Sequence, residues 1–390
     1  LLVAGTLLDS QFLTIDNQRD VLWQVSNNGI VAIGMTLVIL TGGIDLSVGS
    51  LLSVGSVVCA MLLMQRGWTH ASQAAVPAGA LVAAFIAGAL VRVIFSKRLT
   101  GRLGRLIPWL VGVVAFIVVF WIAASCLPNG FGPLGVLLLV PAFGLVLGAI
   151  NGLVIAKGNL QPFIVTLAMM VSAVGLAKHI AGLGGQVHAI YVDPAAPEST
   201  APPSFFSLAS NIEVFGQELI PVPGLFFAAT AILAWILLTR TRIGRYIYAV
   251  GGNEEAGRYS GLRTDRVKIL VYALSGMLAT LAAVLYCAQY QQGKADAGLT
   301  RELDAIAAVV IGGTSLMGGR GGIGGTIVGV FIFGYLRNIL NLRGVQSEFQ
   351  DIVQGVIIVL AVLLQEGVLA RWVSQAYRRL TGPATARGTV

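Results

Sequence analysis

Three glycine-marked stretches carry the residues of this chain whose types and spacing could support chemistry. The first is Thr41-Gly42-Gly43-Ile44-Asp45-Leu46-Ser47-Val48-Gly49-Ser50, where a carboxylate and two hydroxyls follow a double glycine inside an apolar stretch. A double glycine there breaks a helix, and irregular backbone at membrane depth persists only beside protein or water. Asp45 is placed to cap the free N–H groups of the helix that follows. It is also placed to line a polar path, and the two roles are compatible. A carboxylate at the centre of a membrane helix costs roughly 2.5–3.5 kcal/mol, and no proton transfer is assigned to Asp45.

The second stretch, Gly312-Gly313-Thr314-Ser315-Leu316-Met317-Gly318-Gly319-Arg320-Gly321-Gly322-Ile323-Gly324-Gly325, contains a formal G-x-G-x-x-G at Gly319, Gly321 and Gly324. A dinucleotide site would need a buried strand before it, a βαβ unit around it and a later acid for the ribose. None is present, nor is a Gly-Lys-Ser/Thr phosphate loop. The pattern predicts instead a short helix, a glycine-rich break, and then a helix with Gly321, Gly325 and Gly329 on one smooth packing face. The third stretch is Gly251-Gly252-Asn253-Glu254-Glu255-Ala256-Gly257-Arg258-Tyr259-Ser260-Gly261-Leu262. Asn253 can cap a short helix whose first turn holds Glu254 and Glu255, favourable at the positive helix end, and Gly261 can stop it. By spacing alone this stretch is equally a solvated loop. Two glycine-broken regions, one in each half, point to a transport pathway. No catalytic residue and no metal ligand is assigned, and His70, His179 and His188 read as solvated.

The elements that must position these stretches follow from composition. The chain has 390 residues, 56% hydrophobic and 11% charged, with 49 glycines. A soluble domain carries about 25% charged residues, so a soluble enzyme and a disordered chain are both excluded. Abundant glycine in an apolar chain suits close-packed membrane helices. The three cysteines, Cys59, Cys126 and Cys287, sit in or at the end of apolar runs without ligand spacing and read as inert. The chain opens on Leu1 within the end of an apolar segment, as expected of a trimmed first helix and not of a signal peptide.

Apolar runs near the length of a bilayer span occur at Ile30–Leu40 (extended by Gln24–Gly29), Leu46–Met64, Val76–Phe95, Leu106–Cys126 and Leu134–Ala156. Others are Phe163–Ile180, Gly224–Leu238, Ile269–Ala288, Ile323–Leu340 and Ile352–Leu364, with a shorter one at Asp304–Gly312. The fold class is therefore all-α and polytopic, with about 10–12 transmembrane helices, some short or glycine-broken. Basic segments at Ser96–Arg105, Arg240–Lys268 and the tail from Arg371 belong in the cytoplasm by the positive-inside rule. The acidic, proline-rich 181–223 loop and the Asp9, Asp16 and Asp20 group around Arg19 belong outside. The net charge of +8 is this asymmetry and not a nucleic-acid patch. Asp304 reads as a helix cap, and Arg337 and Asp351 as snorkelling or capping residues at outer helix ends. No non-membrane stretch is long enough to fold alone, so ATP-fuelled work would need another subunit.

Glu255-Ala256-Gly257 followed by Gly261 is similar to the EAA…G coupling loop of ATP-binding cassette importer permeases, with Gly257 in place of the second alanine. Gly-Gly-Ile-Asp-Leu-Ser-Val-Gly-Ser from Gly42, Ala249–Ala256, Glu302–Ala308, Ile311–Ser315, Asn151-Gly152 and Gln161–Leu167 resemble the ribose/xylose-type sugar permeases. The resemblance runs from about Gln18 to Glu366. One departure is an extra helical hairpin at about 96–126, whose two crossings preserve the orientation downstream.

The resemblance implies a single transmembrane permease domain over 1–390, with a coupling loop at about 240–268 and an external loop at about 181–223. It implies a non-catalytic subunit of the bacterial inner membrane, paired as a homodimer or with a similar permease. Two ATPase subunits, holding ATP and magnesium, would dock at Asn253, Glu254, Glu255, Ala256 and Gly261, and this chain itself would hold no cofactor. A solute-binding protein would deliver a neutral sugar to a path surrounded by membrane lipid. Asp45, Ser47, Ser50, Asn151, Thr166, Thr314 and Ser315 are the candidate pathway residues. Two alternatives are a branched-chain amino acid permease of the same architecture and an ion-coupled carrier. The carrier would want mid-helix ionisable residues, which are almost absent here.

Overall fold

In the computed structural model, residues 11–63, 132–182, 185–192, 201–214 and 216–365 are described, with isolated positions at 6, 9, 79, 82 and 86. The expected spans at 76–95 and 106–126, the extra hairpin, Cys126 and the basic tail lie outside the described residues, apart from those isolated positions.

The centre is built from helices whose sequences carry little polarity on any face. Helix α1 (Ile15–Leu40) begins where Thr14 Oγ accepts from the Asn17 N–H, and every residue from Ile30 to Leu40 is buried. Helix α2 (Val48–Leu63) follows the double-glycine break and is buried almost throughout. Prolines in the first turn, where a missing N–H costs nothing, start α3 (Pro133–Gly158) and α4 (Pro162–Ala181). Further on come α5 (Pro203–Phe206), α6 (Val222–Arg240), α7 (Arg242–Gly252), α8 (Glu254–Tyr259) and α9 (Thr264–Tyr290). The chain then forms α10 (Arg301–Ile311), α11 (Ile323–Leu342) and α12 (Ser347–Gln365). Six of the described helices, α1, α3, α4, α6, α9 and α11, are long and apolar enough to cross a membrane.

Small residues set the packing. A side chain at Gly148 of α3 would strike the Tyr272 backbone of α9, and one at Gly276 would strike the Gly144 carbonyl. The two helices therefore touch backbone to backbone, as glycine stripes allow in membranes. The same device joins α10 to α11, where Gly325 lies against the Gly312 backbone and Gly329 against the Ala308 carbonyl. Two members of the predicted glycine face thus act as expected. Gly321 instead lies before the helix at φ +133, pressed on Thr314.

The acidic end is bound together by Arg19. It pairs with Asp16 (3.1 Å), Asp20 (3.4 Å) and, from the loop before α6, Glu218 (3.8 Å). The start of α1 and the acidic loop thus share one end of the bundle, as the charge pattern required. That loop is not wholly irregular: β2 (Asn211–Val214) and β3 (Gln217–Pro221) form an antiparallel hairpin turning at Gly216, φ +77. A second short ladder joins β1 (His188–Ala189) to β4 (Gln292–Gly293).

From β4 the chain passes through consecutive turns alongside α2 before α10 begins. Ser56 Oγ donates to the Lys294 carbonyl (2.8 Å) and accepts from the Lys294 N–H (3.2 Å), and Ser53 Oγ accepts from the Gly298 N–H (2.9 Å). Serines three apart on α2 thus pair with backbone groups of these turns that lipid could not satisfy.

Candidate functional site

At the end of the bundle opposite Arg19, local sequence builds a short protruding helix. Asn253 Oδ1 accepts from the Ala256 N–H (2.9 Å), capping α8, and Glu254 and Glu255 occupy its first turn. The other terminus is closed by Gly261 at φ +82, with Leu262 N–H bonded to the Gly257 carbonyl and Gly261 N–H to the Arg258 carbonyl, both 3.0 Å. That pair of bonds requires the left-handed conformation glycine adopts freely. Glu254 is fixed by Lys268 of α9 (2.6 Å) and by Arg258 (3.7 Å). Glu255, Ala256 and Tyr259 face outward, and Tyr259 is 89% exposed. A concavity of about 510 Å³ beside α8 is lined by Lys157, Asn159, Arg258, Arg263 and Arg266, among others. Across it Lys157 pairs with Asp265 (2.6 Å).

Gly257, the departure from the EAA pattern, is buried, yet a methyl group there would meet only Leu262 Cδ1 at 3.7 Å and Thr264 Cγ2 at 3.8 Å. The departure therefore follows from no steric need.

Helix α7, which lies in the basic segment expected in the cytoplasm, runs directly into α8 through Asn253, the C-cap of one and N-cap of the other. Its last turn is where the three glycine stretches meet. The Gly319 N–H donates to the Leu40 carbonyl at the end of α1 (3.0 Å). A Cβ on Gly251 would fall on that same carbonyl oxygen and lie 2.6 Å from the Gly319 nitrogen. Gly318 and Gly319, at φ +85 and +72, press on Gly251 and Gly252, and Gly318 also on Gly42. Tyr248 of α7 donates its hydroxyl to the Gly321 carbonyl (2.8 Å). Bare backbone from both broken regions is thus stacked on the helix that carries α8.

Deeper in the first break the polar residues form one network. Asp45 is fully buried; its Oδ1 accepts from the Ser47 N–H (3.0 Å) and hydroxyl (2.6 Å), and its Oδ2 accepts from Ser275 of α9 (2.9 Å). Asn151 of α3 donates to Ser47 Oγ (2.9 Å), and Thr166 of α4 donates to the Ile44 carbonyl (3.2 Å) and the Pro162 carbonyl (2.9 Å). Ser50 donates to the Ser47 carbonyl (2.7 Å). Asp45 thus secures the turn before α2 and ties it to α9. Thr314 is buried in the second break and Ser315 is half-buried, its N–H bonded to the Arg320 carbonyl (2.9 Å). Structure brings five of the candidates, Asp45, Ser47, Ser50, Asn151 and Thr166, into one cluster and leaves Thr314 and Ser315 in the other break.

Asp304 and Arg337 depart from the sequence reading. Asp304 sits in the first turn of α10, but its carboxylate turns away to neighbouring helices. It accepts from Arg337 of α11 (3.1 Å), Asn28 of α1 (3.3 Å) and Gln354 of α12. Arg337 does not snorkel; it is the countercharge of a buried acid. An acid and a base 33 positions apart in adjacent apolar segments was the available signal.

A bundle of apolar helices interrupted by two glycine breaks, with a capped helix standing out from their common junction, defines a membrane-spanning transport protein. A family model described as branched-chain amino acid transport system / permease component matches residues 19–102 and 110–362. The ribose import permease of Escherichia coli K12 is 37% identical over 370 residues, 93% of this chain and 90% of that protein. The ribose import permease of Bacillus subtilis 168 is 36% identical over 367 residues, covering 93% and 89%. The xylose transport system permease of Escherichia coli K12 is 30% identical over 378 residues, covering 93% and 88%. No solved structure matches. The chain belongs to this family of transport-system permease components.

Proposed function

We propose that this chain is the permease subunit of an ATP-binding cassette importer for a neutral monosaccharide, acting in the bacterial inner membrane. The observation that carries the reading is the stacking of both broken regions on Gly251 and Gly252, one residue from the cap of α8. ATPase subunits, binding ATP and magnesium, dock on the outward face of α8 around Glu255 and Ala256, beside the basic concavity. Their closure moves α8 and α7 as one lever, and the lever opens or closes the junction. Asp45, Ser47, Ser50, Asn151, Thr166, Thr314 and Ser315 then line the path when the breaks part. A neutral sugar offers a membrane potential no charge to act on, so ATP-driven exchange between two states of different affinity does the work. The permease is a single domain that performs no bond chemistry, pairs with a second copy or a similar chain, and receives sugar from a solute-binding protein.

The test is uptake into proteoliposomes that hold this chain with the ATPase and binding protein encoded beside it, with ATP inside and ion gradients collapsed. ATP-dependent uptake of one sugar is the expected result. The family's description as a branched-chain amino acid permease component makes such amino acids the second reading, and labelled leucine in the same panel decides between them. Uptake that ignores ATP and follows a proton or sodium gradient would overturn both.

A further inference from the structure

The antiparallel pair α3 and α9 ends together in the basic concavity beside α8. Gly152 of α3 presses on the Ile269 backbone of α9, so the end of α3 at Lys157 meets the start of α9 at Thr264. The walls there carry four cations, Lys157, Arg258, Arg263 and Arg266, against one carboxylate, Asp265. The positive-inside rule explains their sign but not their convergence on one concavity. Two of the four are already engaged: Lys157 pairs with Asp265 (2.6 Å), and Arg258 lies 3.7 Å from Glu254. Arg263 and Arg266 are exposed and make no side-chain hydrogen bond or ion pair among the described residues. Their position is electrostatically uphill. Arg263 is the N-cap residue of α9, Arg266 stands in its first turn, and no side chain caps the helix start. A helix N-terminus is itself positive, which disfavours cations and favours anions. An anion held between the two guanidinium groups relieves both terms, and their planar forks match phosphate oxygens.

The adjoining surface narrows the class of anion. Ile150, Leu153 and Lys157 lie three and four positions apart, on one face of α3, and Ile150 and Leu153 are exposed. Past Asn159 the turn into α4 adds exposed Leu160, Phe163 and Ile164. The concavity therefore sits at the foot of an apolar stripe on a helix long enough to cross the membrane, at the basic end of the bundle. A free phosphate would use only the basic walls. A phospholipid uses both surfaces, with its phosphate among the guanidinium groups and its acyl chains along the stripe. Basic pockets between membrane helices on the cytoplasmic side suit anionic head groups for this reason. We infer that this concavity binds an anionic phospholipid, held by Arg263 and Arg266 at the start of α9, with its chains along α3. Arg258 belongs to α8, so the bound lipid braces the protruding helix against the bilayer. The inference does not depend on which solute is carried.

The test titrates the detergent-purified permease–ATPase complex with phosphatidylglycerol, cardiolipin, phosphatidylethanolamine and inorganic phosphate, with bound lipid read by native mass spectrometry. Phosphatidylglycerol and cardiolipin should bind at least about tenfold more tightly than phosphatidylethanolamine. The double variant Arg263→Gln, Arg266→Gln should weaken that binding about thirtyfold, at about fivefold per arginine. Removing the same charge from α7, with Arg242→Gln and Arg245→Gln, should leave it within about twofold. Asp265→Asn removes the one carboxylate from the walls and should tighten binding about fivefold, a gain that a misfolded chain cannot give. Equal binding of phosphatidylethanolamine would overturn the inference, as would unchanged affinity in the Arg263 and Arg266 double variant or an equal loss in the α7 pair. Inorganic phosphate bound as tightly as phosphatidylglycerol would overturn the lipid assignment. Loss of ATPase copurification in the Arg263 and Arg266 double variant, with lipid binding unchanged, would assign the concavity to the ATPase instead.

Discussion

Replacing Gly251 with alanine tests whether the stacked glycines transmit force. The new methyl group falls on the Leu40 carbonyl oxygen and lies 2.6 Å from the Gly319 nitrogen, between the partners of a 3.0 Å hydrogen bond. Breaking that bond and leaving its groups unpaired costs about 1–3 kcal/mol. Overpacking of a tight contact adds about 1–3 kcal/mol. The two terms sum to about 2–6 kcal/mol, and even about 3 kcal/mol shifts the equilibrium between joined and parted junction roughly a hundredfold. Gly252 is the control one residue away, because a methyl group there meets nothing within 4 Å. In reconstituted importer, Gly251→Ala should therefore bind the ATPase normally, since α8 keeps its outward face. Its uptake should fall ten- to a hundredfold, with ATP hydrolysis no longer tied to loaded binding protein. Gly252→Ala should stay within about twofold of wild type. Equal behaviour of the two variants, in either direction, would refute the lever.

Three further expectations follow from individual contacts. Glu255→Arg reverses the charge on the outward face of α8 and should abolish ATPase copurification while leaving the permease folded by size-exclusion chromatography; normal copurification and transport would rule out that docking face. Arg337→Leu strands the buried Asp304 carboxylate and should cost about 3–5 kcal/mol, read as a lower thermal midpoint in detergent, with Asp304→Asn in the same chain restoring part of the loss. Gly257→Ala meets no neighbour closer than 3.7 Å and gains helix propensity of about 0.8–1.0 kcal/mol. It should leave uptake unchanged and raise the midpoint slightly, and a transport defect would mean that α8 needs space at that position.

Legibility tracked the range over which a residue acts. Helix α8 was readable in part: its determinants, Asn253, the two glutamates and Gly261, operate within one or two turns, though spacing alone left a solvated loop equally open. The glycine breaks and the packing role of Gly325 and Gly329 were readable because spacing alone encodes a smooth face. Helix α7 escaped because Arg242, Arg245 and its tyrosines look like a solvated basic connection, and its buried Gly244, Ile247 and Val250 gain meaning only from what lies against them. Asp304 escaped for the opposite reason. Its position in the first turn satisfies the local rule for a cap, and only the tertiary arrangement shows that Arg337, Asn28 and Gln354 claim its oxygens instead. The docking of Gly318 and Gly319 onto Gly251 joins stretches far apart in the chain, and no local pattern announces a partner at that distance.

The serine-backed turns after β4 also constrain how the protein can be made. Lys294 and Ser56 are 238 positions apart, so α2 has left the ribosome long before the segment that depends on it is synthesised. Without Ser53 and Ser56 the Lys294 and Gly298 N–H groups lose their acceptors, so the segment would enter lipid alone only with two donors unpaired. Those donors are satisfied only once α2 lies beside the segment. Membrane insertion and completion of the path are therefore separate events. Serine-to-alanine changes at 53 and 56 would leave topology intact while stalling the last step of maturation, giving a protein that is fully threaded and still protease-sensitive between α9 and α10.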